Sequence, residues 1–195
     1  MVDTSGHHLV YGTLHDYLTG EELPDTDDER CRQELARWLV EDKGYGADEL
    51  EPRRVIETTF NNQYVRSLIE LTVCLDDRRI MIVRYGAGSL VTRERPAIAA
   101  ARILDPDYRI PLAVVTNSRE AELLDTLTGK VLGTGMDAVP DRDQAVMMLP
   151  EIVFSSFSDQ EKREREERIL NAFDLEVCCK SGTCLLPGDE GPAEK

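Results

Sequence analysis

The sequence predicts an α/β protein: a central mixed β-sheet flanked by helices, with one more helix towards the C-terminal end. Three observations predict it. A capped amphipathic helix opens the ordered part of the chain, strand-like runs follow it, and an Ala-rich helical stretch separates those runs from a short, wholly apolar one. Helix, three strands, helix, strand and hairpin, in that order, fit one sheet with helices on its faces.

Residues 1–24 read as an N-terminal arm with turns near Gly12 and Thr19-Gly20. Thr26 and Glu29, three apart, form a capping box, each side chain able to satisfy the other's orphan backbone N–H. Cys31, Leu35, Trp38 and Leu39 then recur at helical spacing as one apolar stripe, and Lys43-Gly44 marks the stop. Arg53–Phe60 is rich in β-branched residues and predicts a strand. In the next strand, residues 66–75, alternation turns Ser67, Ile69, Leu71, Val73 and Leu75 to one face. Arg66, Leu68, Glu70, Thr72 and Cys74 take the other. Asp76-Asp77-Arg78 turns the chain into the strand Arg79–Tyr85.

Thr92–Leu104 reads as a helix ended by Asp105-Pro106, with Pro96 tolerated near its start. Ile110–Thr116 suits a buried strand, Ala121–Leu132 a hairpin turning at Thr128-Gly129, and Asp141–Leu149 a short helix. Ser158 and Glu161 make a second capping box, opening a charged helix to about Phe173 whose few apolar residues are Ile169, Leu170 and Phe173. Such a helix packs lightly or meets a partner. The chain thus divides into an arm (1–24), a main domain (25–157), a charged helix (158–174) and a Cys-containing tail (175–195). The tail's Pro, Gly and acidic residues predict disorder.

The formal net charge of −15 works against nucleic-acid binding. Its distribution is uneven: from Arg78 to Arg119 eight Arg stand against only Glu94, Asp105 and Asp107, while the acidic excess lies at both ends. A basic middle in an acidic envelope either faces a polyanion or is screened by its own termini. No apolar run is long enough to span a membrane. The N-terminus lacks the basic and apolar regions of a signal peptide, so the cytoplasm is the expected location. There, Cys31 and Cys74 read as small buried apolar residues.

The segments Asp28–Leu35 through Glu41–Tyr45, the strand pair 66–85, Ile110–Asn117 and Leu127–Lys130 together resemble, in order and spacing, the N-terminal domain of type I restriction enzyme R subunits. The resemblance runs from Thr26 to Val131 and implies a restriction-endonuclease-like fold of the PD-(D/E)xK nuclease type. Such a site needs an acid on one strand and Glu-x-Lys on the next. Carboxylate oxygens hold a divalent metal, and the Lys places positive charge beside the attacking water and phosphate. Carried over, Glu70 falls at the first acid, while Arg84-Tyr85-Gly86 falls where Glu-x-Lys should be. Glu34 is a candidate further acid on the first helix, or an exposed helix residue. The pattern therefore implies a degenerate site with Arg84 facing Glu70 in place of a metal. Mg²⁺ would be needed only if cleavage persists.

The literal Glu41-Asp42-Lys43 lies on a helix, where residues two apart diverge, and reads as a solvated helix end. Gly133-Thr134-Gly135 reads as a turn. Cys178, Cys179 and Cys184 are dense enough to contribute to a Zn or Fe–S site, with a fourth ligand supplied by Cys31, by one of His7, His8 and His15, or by a second subunit. Inert thiols are the leading reading of these cysteines, with a metal site next and a redox or disulfide role after it. Three functions follow: a non-catalytic nuclease-like module binding nucleic acid or a protein; an active metal-dependent endonuclease using other carboxylates such as Glu57 or Asp76; and a small Zn or Fe–S accessory protein.

Overall fold

The computed structural model describes residues 10–86 and 88–178. The arm, where described, is folded back: β1 (Thr13–His15) pairs antiparallel with β2 (Glu22–Pro24). The first helix, α1 (Asp27–Glu41), begins as expected, with Thr26 accepting a hydrogen bond from the Glu29 N–H at 3.2 Å. Only that half of the box forms, because the Glu29 carboxylate turns to Arg32 and Gln33 instead.

Six strands make the main sheet: β3 (Leu50–Phe60), β4 (Gln63–Leu75), β5 (Arg78–Tyr85), β6 (Leu112–Thr116), β7 (Ala121–Asp125) and β8 (Val131–Thr134), hydrogen-bonded in chain order. Two-residue turns at Asn61-Asn62 and Asp76-Asp77 join the first three, all four residues holding positive φ between 50° and 61°. This backbone matches the twist of antiparallel neighbours. Between β5 and β6 the chain crosses over through α2 (Val91–Leu104), and the two strands pair in parallel, the other neighbours antiparallel. A mixed sheet flanked by helices is therefore the observed architecture. Two helices follow it, α3 (Arg142–Met148) and α4 (Gln160–Cys178). The cap of α4 falls one residue later than expected, at Asp159, whose carboxylate accepts from the Lys162 N–H at 3.2 Å.

Each face of the sheet buries its own core. Leu71, Val73, Met81, Val83, Leu112, Val114 and Leu123 pack with Leu35, Ala36 and Leu39 of α1. Ile69, Ile82, Ala113, Val115 and Leu124 pack with the alanines of α2 and with Leu170 of α4. Ile69 and Leu71 are two apart yet belong to opposite cores, so the regular alternation expected through residues 67–75 breaks at Glu70. The neighbouring strand is irregular at the same level. Pro52 pairs with Leu71 and Arg54 with Ile69, and Arg53 between them has φ +54. A non-glycine residue in that region twists the strand locally.

Candidate functional site

Glu70 sits at this irregularity, partly buried. The register Leu71↔Val83 puts the neighbouring positions, Glu70 and Arg84, side by side at the end of the β4–β5 ladder. The carboxylate of Glu70 accepts a hydrogen bond from the Tyr85 N–H at 3.1 Å. Desolvation raises its pKa above the ordinary glutamate value, and the charges of Arg84 and Arg32 with the Tyr85 N–H only partly offset this. The bridge expected between Glu70 and Arg84 is replaced: Arg84 Nη2 pairs with Asp174 Oδ1 of α4 at 3.3 Å, and both side chains are largely buried. Arg84 therefore reaches Glu70 only through its field. Ninety residues of sequence separate it from its actual partner.

Gly86, at the position where the resemblance puts a lysine, is buried, and the space a Cβ would take there is filled by the guanidinium of Arg93 from α2. That guanidinium also lies over the Phe173 ring of α4, 5.5 Å from its centroid. The gap left among Arg84, Tyr85, Arg93, Pro96 and Phe173 is about 10 Å³, no more than a single water needs. Tyr85 itself has a hydroxyl whose pKa is pushed up to about 12, first by the nearby Cys31 thiol of α1 and then by burial.

A second cluster of charge lies against α1. Asp16 and Glu29 pair with Arg53 and Arg32, and Gln33 donates to Asp16 at 3.1 Å and to Glu29 at 2.7 Å. Burial opposes the ionisation of Asp16. The Arg53 guanidinium, the Thr19 N–H and Gln33 outweigh it and hold its pKa at about 2. The buried acid of the first helix is thus Glu29, and Glu34 is exposed. The residues offered as other carboxylates, Glu57 and Asp76, are exposed as well. Glu41 accepts from the Tyr17 hydroxyl and Lys43 donates to the Val139 carbonyl, so that pair has structural partners.

The arginines of the basic middle are largely engaged. Arg79 binds Glu51 and Asp105 at 2.7 and 2.9 Å, and Arg95 and Arg102 bind Glu166 of α4 at 2.5 and 2.8 Å. Arg78 and Arg109 stack on Phe154 and Phe157. Sequence reasoning missed Glu29, Arg53, Arg93, Glu166 and Asp174. One signal for the last two was present: Glu166, Leu170 and Asp174 fall at i, i+4 and i+8, which places both acids on the apolar stripe of α4. Cys179, Cys184, His7 and His8 lie outside the described residues, as does the side chain of Cys178 at the end of α4; His15 is exposed. Among the described residues no group of three or more His, Cys, Asp or Glu is placed to hold a metal, and no helix is long and apolar enough to cross a membrane.

The family described as type I restriction enzyme R protein N terminus (HSDR_N) matches residues 27–140, more than half of the chain. No curated protein and no solved structure gives a match.

Proposed function

We propose a function from one premise: the chain belongs to the type I restriction enzyme R protein N-terminus family. In our reading it keeps the scaffold as a nucleic-acid-binding module and no longer hydrolyses phosphodiester bonds. The observation that carries this reading is the Arg84–Asp174 ion pair. At the position where a PD-(D/E)xK-type site presents its second metal-binding carboxylate, this chain presents a guanidinium that is already paired.

The residues at hand do not fit Mg²⁺. That ion asks for oxygen donors in octahedral array, with carboxylates supplying charge. Glu70 is the one carboxylate aligned with the motif, and burial favours its neutral form. A cation beside it would meet the fields of Arg84 and Arg32, and the adjoining gap of about 10 Å³ leaves no room for a hydrated ion with a phosphate. Supercoiled plasmid incubated with Mg²⁺ or Mn²⁺ tests the reading. Intact plasmid is expected, whereas nicking that disappears in Glu70→Ala would overturn it.

The active-endonuclease alternative has one observation in its favour: the Arg93 guanidinium lies against Gly86, the position aligned with the motif lysine. It supplies the charge but not the missing carboxylate. For the binding role, Arg84, Arg95 and Arg102 on β5 and α2 are the candidate phosphate ligands, each paired here with an acid of α4, and guanidinium forks suit phosphate oxygens. A protein partner is the second reading, favoured by the exposed Leu127, Val131, Leu132 and Val153 around the free edge at β8. Retention of a DNA duplex that falls steeply with salt supports the first, and salt-indifferent binding of a protein supports the second.

A further inference from the structure

We infer that α4 is a displaceable strap: it occupies the arginine face of β5 and α2 with Glu166 and Asp174 standing in for phosphates, and a phosphodiester chain displaces it. The inference rests on the nucleic-acid-binding reading above and adds its regulation.

The way α4 is held points to this. Its described buried side chains are Glu166, Leu170, Asn171 and Asp174, three of them polar. Glu166 takes Arg95 and Arg102, Asp174 takes Arg84, and Asn171 meets Thr58 at 2.7 Å. Arg163 donates to the Ile103 carbonyl at 3.0 Å, closing the C-terminal end of α2. Leu170 anchors the helix in the core, and around it the contacts are guanidinium–carboxylate pairs, for which phosphate oxygens can be exchanged.

The fit is also incomplete. Asp174 Oδ2 and Arg95 Nη1 are buried without a hydrogen-bond partner, so the docked state leaves polar groups that water or a phosphate oxygen would satisfy. The acids sit two turns apart on one face of α4, roughly 12 Å by helix rise. Phosphates spaced along a nucleic-acid strand can reach the same arginines while releasing counterions that the helix does not release. The chain also has a pivot. Ser155 and Ser156 are tied to Arg109 and Tyr108 through the backbone and Phe157 is buried, whereas Ser158 and Asp159 beyond them are exposed and start the helix.

The test uses the full chain and a short fluorescein-labelled DNA duplex, read by anisotropy at low salt, with folding checked by circular dichroism. Three proteins are compared: the parent, Glu166→Gln/Asp174→Asn, and Glu161→Gln/Glu164→Gln. The last removes the same charge from exposed positions of the same helix. The strap predicts that the first variant binds on the order of tenfold tighter than the parent and gains a steeper salt dependence, while the control stays within about twofold of the parent. Equal binding by all three overturns the strap and leaves the nucleic-acid reading standing. No binding by any of the three, all folded, overturns both. If the buried variant fails to fold, amide exchange on the parent decides: α4 must lose protection when duplex is added, and unchanged protection with duplex bound overturns the strap.

Discussion

Two clusters of buried charge flank the β4–β5 ladder, and they are resolved differently. Against α1, Asp16, Glu29, Arg32, Arg53 and Gln33 form a set in which each carboxylate has its cation, though Arg32 Nε is buried without a partner, and the pKa of Asp16 falls to about 2. Towards α4, Glu70 is held above the ordinary glutamate range, Arg84 and Asp174 meet through one contact, and buried atoms of Asp174 and Arg95 lack partners. The first cluster behaves as structure. The second is matched less closely: its acid of β4 is held by a backbone N–H and the fields of nearby arginines, and the nearest arginine pairs with another element.

The largest effect is expected in the first cluster. Arg53→Ala leaves Asp16 without its cation, and breaking a buried pair from one side costs about 3–5 kcal/mol; urea denaturation measures it. A smaller loss would mean the α1 cluster is no better matched than the other. Next comes Arg84→Met, which strands Asp174 at the edge of α4 and should cost about 1–3 kcal/mol. Arg84→Met/Asp174→Leu should recover most of that loss, because an apolar pair can replace a buried ionic one without penalty.

The two clusters should also titrate in opposite directions. Asp16 has a depressed folded pKa, so its contribution is present above the ordinary aspartate value of 3.8 and is lost as pH falls through about 2. Glu70 has a raised folded pKa, so its ionisation weakens the fold as pH climbs from the ordinary value of 4.5 through the raised one. Glu70→Gln should therefore raise the Tm at pH 8 by roughly 2–4 °C, the shift that about 1 kcal/mol produces in a domain of this size, and change little at pH 4. A lower Tm at pH 8 would show that ionised Glu70 stabilises the fold. The smallest effect belongs to Glu34→Ala, an exposed helix position where stability should stay within about 0.5 kcal/mol.

Much of the scaffold was legible in the sequence because it is encoded locally. Thr26 caps α1, Asp76-Asp77 turns β4 into β5, and the unbroken apolar run ending at Thr116 makes the buried parallel strand. The site was legible only in outline. Alternation placed Ile69 and Leu71 on one face, whereas they join different cores, and Arg53 opposite them on the neighbouring strand has positive φ. Arg84 looked like the partner of Glu70 because pairing in a hairpin is local, whereas its partner arrives from α4. Glu29 rather than Glu34 lies on the buried face of α1, at helical spacing from Arg32, Ala36 and Leu39, but the acid that joins it there, Asp16, arrives through the β1–β2 hairpin, which no helix periodicity encodes.

Whether Glu70 holds a divalent metal decides the proposed function, and a Mn²⁺ titration followed by electron paramagnetic resonance measures it. The protein should leave the free Mn²⁺ signal unchanged apart from weak non-stoichiometric surface binding, and Glu70→Ala should behave identically. Stoichiometric Mn²⁺ uptake that vanishes in Glu70→Ala would contradict it.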